Sequence, residues 1–201
     1  MIGLDVFLLG GTGRVFKVHD KSDQSKEYAL KVALGPQVIE LIKERRFYRD
    51  IPHSHSVKFI LPVNNRFVSN SHGGILFESV GETVSISSNS NRANVVKALS
   101  ELHKIELYHG DPRYQNVVVL KENTFRFIDF NCSLFNPDDS KFKFNDMQML
   151  IVSMFDITVE ALLEIEEINT ALNNYNSNYN EDSIDSLIQI IEKNLKARRI
   201  S

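Results

Sequence analysis

The hydrophobic period of this chain changes along its length, and the order of the change limits the folds open to it. The first part alternates. Residues 5–18 read as a strand, a Gly-rich turn and a second strand, Asp20 to Lys26 as a polar hairpin turn, and Tyr28 to Ala33 as a third strand. Gly35-Pro36 opens one helix that carries Val38, Ile39, Ile42 and Arg46 on neighbouring turns and stops at Asp50, before Pro52. Short strands follow at Phe59 to Val63, Arg66 to Ser69 and Gly74 to Glu78, and Ser85 to Asn91 reads as an exposed loop. The period then becomes helical, with Val95, Val96, Leu99, Leu102 and His103 at i, i+1, i+4, i+7 and i+8. Val117 to Leu120 and Phe125 to Ile128 predict a β-pair around Glu122-Asn123, and helices are predicted over Asp146 to Phe155, Val159 to Asn173 and Ser183 to Arg199. Strands first and helices after predict an α+β fold, divided into residues 1–83 and 84–201.

The 201 residues suffice for one large domain or two small lobes with a proper core. A net charge of −3 gives no basic footprint for nucleic acid, and the cluster Lys43, Arg45, Arg46 and Arg49 reads as a solvated helix face. Cys132 is the one cysteine, which rules out an internal disulfide and fits a reducing compartment; it reads as a small buried apolar side chain. Met1 to Leu9 lacks the positively charged lead of a signal peptide, and no apolar run approaches the ~20 residues of a bilayer span. An intracellular location, cytoplasmic or nuclear, is expected, with no membrane partner. His53 and His55 have no further ligands near them in sequence and read as loop histidines.

The chemistry concentrates in His109-Gly110-Asp111-Pro112-Arg113-Tyr114-Gln115-Asn116, with Asp129-Phe130-Asn131 thirteen residues later. Two carboxylates and an amide in this order suit Mg²⁺, which takes hard oxygen ligands and keeps several waters. Asp111 would orient an acceptor hydroxyl and take its proton, Asn116 and Asp129 would be metal ligands, and Arg113 could reach a γ-phosphate. Phosphoryl transfer from ATP needs further parts upstream. Gly10-Gly11-Thr12-Gly13-Arg14-Val15 offers a cover over phosphates, since glycines between strands allow close backbone approach. Lys31 offers the cation for the α- and β-phosphates, from a strand where Leu30 and Val32 point the opposite way. Glu44 is the best anion for Lys31, with Glu40 one turn earlier on the same helix face. The glycines also suit a dinucleotide-binding turn, but that needs a helix next, and Val15 to Asp20 alternates like a strand; no Gly-Lys-Ser/Thr follows for a Walker-type loop.

These residues together resemble the protein-kinase-like fold over roughly residues 5–155. The resemblance implies a sheet-rich N lobe and a small helical C lobe, with ATP and Mg²⁺ as cofactors. It makes Phe77 the gatekeeper and Glu78 to Val80 the hinge that meets adenine. It also makes Asp146 the structural acid that braces the catalytic loop. His-Gly-Asp stands where most protein kinases have His-Arg-Asp, so control through a phosphorylated activation segment is not expected. No Ala-Pro-Glu follows, and Asn131 replaces the usual glycine after Asp-Phe. The His-Gly-Asp loop is similar to those of compact atypical families: the KEOPS-complex kinase, RIO-type kinases, aminoglycoside phosphotransferase-like enzymes and, through Gly-Asp-Pro-Arg, the kinase-like domains of crinkler effectors.

The expected activity is γ-phosphate transfer to a hydroxyl on a protein or small molecule. The alternatives are a pseudokinase acting as a nucleotide-dependent binding module and a dinucleotide-binding oxidoreductase. The last helix, with Ile184, Leu187, Ile188 and Ile191 on one face and Lys196, Arg198 and Arg199 at its end, reads as packed on its own domain, with docking of a protein partner as the alternative.

Overall fold

The structure, a computed structural model, describes residues 3–10, 13–20, 22–68 and 71–196. It is a mixed α+β protein. In chain order the strands are β1 Gly3–Gly10, β2 Gly13–His19 and β3 Glu27–Leu34, then helix α1 Val38–Asp50, then β4 Pro62–Val68, β5 His72–Phe77 and β6 Glu82–Thr83. Helix α2 Asn89–His103, strands β7 Leu107–Tyr108, β8 Val117–Leu120, β9 Thr124–Phe127 and β10 Leu134–Phe135, and helices α3 Phe142–Phe155, α4 Val159–Leu163, α5 Glu166–Ser177 and α6 Glu181–Lys196 complete it. The chain forms two compact units. The first is Met1–Glu82 with Val119–Cys132, and the second is Thr83–Val118 with Ser133–Ser201.

The first unit is built on a five-stranded antiparallel sheet in the order β1-β2-β3-β5-β4. Alternation decides which side chains of β3 face inward: Lys31 and Ala33 are buried, and Leu34 is exposed. Helix α1 lies against this face, with Val38 and Leu41 joined to Ala33 and Ile75 in one apolar cluster. The register puts Lys31 directly opposite Val15 on one side and Ile75 on the other. The two strands expected over 59–69 are one irregular strand, β4, whose register against β5 shifts twice. Between β8 and β9 the chain reverses through Glu122 and Asn123, both at positive φ.

The second unit is helical. Helix α2 starts at Asn89, inside the stretch expected to be loop, because the Ser88 hydroxyl accepts the Asn91 N–H at 3.1 Å. A cap of this kind satisfies a donor that would otherwise be stranded, and it outweighs the weak helix propensity of three polar residues. The single helix expected over 159–173 is two, α4 and α5, broken at Ile165 (ψ 96°). Leu162 and Ile168 explain the break. They are six residues apart, which puts them about 120° from each other on an unbroken helix, yet both are fully buried. Helix α3 begins four residues before Asp146. The apolar face of α6, carried by Ile184, Leu187, Ile191 and Leu195, is buried within the unit. Its side chain at Lys196 and the residues Arg198 and Arg199 lie outside the described residues.

Candidate functional site

Lys31 is held by two acids. Its Nζ donates to Glu44 Oε2 at 2.7 Å and to Asp129 Oδ1 at 2.8 Å. Its side chain is 10% exposed, that of Glu44 2% and that of Asp129 17%. These burials matter for charge. Desolvation is the largest influence on Lys31 and works against its ammonium, but Glu44 and Asp129 together outweigh it and raise its pKa. Burial is also the largest influence on Glu44 and pushes its carboxyl up, with Lys31 pulling it back. The Phe130 backbone N–H donates to the same carboxylate. Of the two acids on α1 considered for Lys31, Glu44 makes the bond, and Glu40 faces Lys43 and Asn131 instead.

The ring of Phe130 fixes the position of Asp129. Phe130, 1% exposed, stacks on Phe47 with ring centroids 4.8 Å apart and meets Tyr48 and Phe59 edge-on at 5.8 and 5.2 Å. Helix α1 supplies two of those rings, so the helix that carries Glu44 also anchors the residue after Asp129. Asp129 itself has φ 67°, in the left-handed region where Asp is better tolerated than most side chains. A short 3₁₀ turn covers Phe130–Cys132. With about three residues per turn, turning Phe130 inward rotates Cys132 outward. The expectation of a buried cysteine is corrected accordingly, since Cys132 is exposed.

Gly10 and Gly13 pair across the β1–β2 ladder, and Gly11 lies outside the described residues. The glycines lead into strand β2 and not into a helix, so the dinucleotide-binding turn lacks the helix it requires. Val15 is half-buried and is the direct cross-strand neighbour of Lys31. Phe77 meets Tyr48 edge-on at 5.4 Å. Glu78 N–H is taken by the Leu61 carbonyl at 3.0 Å, while Val80 is half-buried.

In the second unit, Asp111, Arg113 and Asn116 converge. Arg113 Nη2 donates to Asp111 Oδ2 at 2.6 Å, and Asn116 Nδ2 donates to Asp111 Oδ2 at 3.2 Å and to its carbonyl at 2.9 Å. Both side-chain contacts fall on Oδ2, and among the described residues Oδ1 takes no hydrogen bond. Asp111 therefore presents one carboxylate oxygen from a partly exposed position, its side chain 26% accessible.

The loop before Asp111 hangs on Asp146, which is 1% exposed. Asp146 Oδ2 accepts the His109 N–H at 2.7 Å, and Oδ1 accepts the Gly110 N–H at 3.1 Å. Gly110 has φ 80°, which a side chain would strain. Ser133 Oγ donates to the His109 carbonyl at 2.8 Å, and Tyr114 N–H donates to Ser153 Oγ at 3.0 Å. Behind Asp146 lies a group that sequence reading assigned only to a helix face. His103, fully buried, brings Nε2 to 3.3 Å from Asp146 Oδ2 and Nδ1 to 2.6 Å from the Tyr175 hydroxyl. Burial is the largest influence on His103 and holds its pKa below the usual imidazole value, against the pull of Asp146. The neutral ring facing a carboxylate keeps its proton on Nε2, so Nδ1 accepts from Tyr175. Tyr175 sits 72 residues away on α5, and no local signal in the sequence announces it.

Among the described residues, no group of three or more His, Cys, Asp or Glu side chains could hold a metal ion by itself, and no helix is long and apolar enough to cross a membrane. No protein-family model matches the chain, and no curated protein matches it either.

Proposed function

We propose that this chain is an ATP- and Mg²⁺-dependent phosphotransferase of the two-lobed, protein-kinase-like class, moving a γ-phosphate to a hydroxyl on a protein or small molecule. The observation that carries the reading is the buried Lys31 ammonium shared by Glu44 and Asp129. A lysine whose ammonium is held by two carboxylates is a pre-oriented cation for the α- and β-phosphates, and its raised pKa keeps it charged. The glycines at 10, 11 and 13 and Val15 form the cover in this reading, and the Glu78 carbonyl and the Val80 backbone are offered to the base, the Glu78 N–H being taken by Leu61.

The donor set fits magnesium. In this reading Asp129, from the first unit, would give a carboxylate and Asn116, from the second, an amide oxygen, both hard ligands that leave room for water. Bound by these residues, Mg²⁺ would supply positive charge to the phosphates. Asp111 accepts the proton of the attacking hydroxyl through Oδ1, while Asn116 and Arg113 fix its other oxygen. Arg113, with its side chain 56% exposed, also offers its guanidinium to the phosphoryl oxygens. Among compact atypical families the Gly-Asp-Pro-Arg loop favours the crinkler-type kinase-like domains.

A γ-phosphate transfer assay tests this with wild type, Asp111→Asn and Asp129→Asn, across protein and small-molecule hydroxyl acceptors. Loss of a general base lowers turnover by roughly 10²–10⁴-fold, and both variants are expected to fall in that range or beyond. Equal turnover in all three proteins removes the assignment. Saturable, Mg²⁺-dependent stabilisation by ATP without transfer to any acceptor supports the nucleotide-dependent binding module in its place.

A further inference from the structure

Asn131 occupies a position that the resemblance assigns to glycine, and its backbone gives no reason for one. The left-handed residue of this turn is Asp129, at φ 67°; Asn131 is not among the residues at positive φ. What distinguishes Asn131 is its side chain. Nδ2 donates to Glu40 Oε2 at 3.3 Å, and among the described residues it makes no other hydrogen bond. Lys43 Nζ holds the same carboxylate, at 3.0 and 3.2 Å from its two oxygens.

Glu40, Glu44 and Phe47 lie at i, i+4 and i+7 on α1 and so share one face. That face takes three successive residues of the turn. Glu44 reaches Asp129 through Lys31 and accepts the Phe130 N–H, Phe47 stacks on the Phe130 ring, and Glu40 accepts the Asn131 amide. We propose that Glu40 and Asn131 are positioning residues, a side-chain latch that holds the Asp129 turn against α1 and presets the metal-binding carboxylate. The inference rests on the phosphotransferase reading for its use, and on the geometry of the first unit for its existence. It assigns Glu40 a task separate from that of Glu44.

The test uses the full chain with Asn131→Ala, Glu40→Ala, the double variant and Glu40→Gln. The first readout is hydrogen exchange of the Phe130 amide, measured with no nucleotide. A side-chain hydrogen bond to a half-exposed carboxylate should protect it by about fivefold to tenfold. Each alanine variant is therefore expected to speed exchange by about that factor, and the double variant no further. Glu40→Gln, which keeps an accepting oxygen, should stay within about twofold of wild type. The second readout is the Mg²⁺ concentration giving half-maximal phosphotransfer. It should rise by a similar factor in the alanine variants while turnover at saturating Mg²⁺ stays within about twofold, a split that general loss of stability does not produce. Unchanged Phe130 exchange, or two alanine effects that simply add, overturns the latch. Absence of turnover in wild type at every Mg²⁺ concentration overturns the phosphotransferase reading, and the exchange measurement still decides the latch.

Discussion

Replacing Asp146 by Asn isolates what a buried carboxylate does that an isosteric amide cannot. Asp146 accepts three hydrogen bonds, from the His109 N–H at 2.7 Å, the Gly110 N–H at 3.1 Å and His103 Nε2 at 3.3 Å. The amide has two orientations. With its oxygen in the Oδ2 place it keeps His109 and His103 but turns an NH₂ toward the Gly110 N–H, donor against donor. The other orientation loses two bonds, so the first is preferred. Stranding one buried amide costs about 1–3 kcal/mol, and turning two charge-assisted bonds into neutral ones roughly halves each of them. The sum is about 3 kcal/mol. At about 2–4 °C per kcal/mol for a chain of this size, Asp146→Asn should lower the midpoint of thermal unfolding by about 6–12 °C. Exchange of the Gly110 amide should accelerate by about two orders of magnitude, since 1.4 kcal/mol is tenfold. A calorimetric scan and amide exchange read both quantities without reference to any activity. A midpoint within about 1 °C of wild type, or an unmoved Gly110 amide, refutes the view that this loop hangs on Asp146.

Buried charge sets two further outcomes. His103 has its folded pKa below the unfolded value near 6.5, so the unfolded chain binds more protons between the two. Its contribution is complete above about pH 6.5 and is lost as pH falls toward the folded value. Urea midpoints taken from pH 7.5 down to 5 should therefore drop, with a shallower slope in His103→Gln; equal slopes reject the argument. Arg92, 5% exposed, forks onto Glu192 at 2.7 and 2.8 Å, donates to the Ile86 carbonyl at 2.7 Å and lies 5.4 Å above the Phe155 ring. Arg92→Ala leaves Glu192 without its partner and should cost about 3 kcal/mol in urea unfolding, whereas Glu192→Gln, which keeps one accepting oxygen, should cost less than half as much.

The parts of the fold that can be read from the chain are those set by short-range periodicity. Alternation alone puts Lys31 and Ala33 on one side of β3, and helical spacing puts Glu40 and Glu44 one turn apart on the following helix. Spacing cannot choose between those two acids, because they lie one turn apart on the same face of α1. The choice depends on where Asp129 and Asn131 arrive from about ninety residues away. Asn89 is hidden for the opposite reason: a composition typical of loops conceals a capped helix start at Ser88. The break between α4 and α5 is hidden because the stretch is amphipathic as a whole, and only burial of both Leu162 and Ile168, about 120° apart on one helix, forces it to split. Cys132 and Tyr175 mark the same limit. Their environments are decided by how a 3₁₀ turn rotates and by which helix covers His103, and neither leaves a periodic trace.

The charge balance around Lys31 gives a physical reason for the chemistry proposed. One ammonium between two carboxylates leaves a surplus negative charge, and burial decides where that surplus is best carried. Glu44 is 2% exposed and its pKa is driven up by desolvation, so negative charge there is costly. Asp129, at 17%, keeps more contact with solvent. Lys31 can balance only one of the two carboxylates, and Asp129 is the one nearer solvent. In the proposed reading a hard cation at Asp129 would offset that surplus and would bring its own positive field to an anionic ligand. Replacing Glu44 by Gln removes the surplus while keeping a hydrogen-bond acceptor for Lys31. The reading therefore ties the affinity for divalent metal to an acid that, in this proposal, does not itself ligate it.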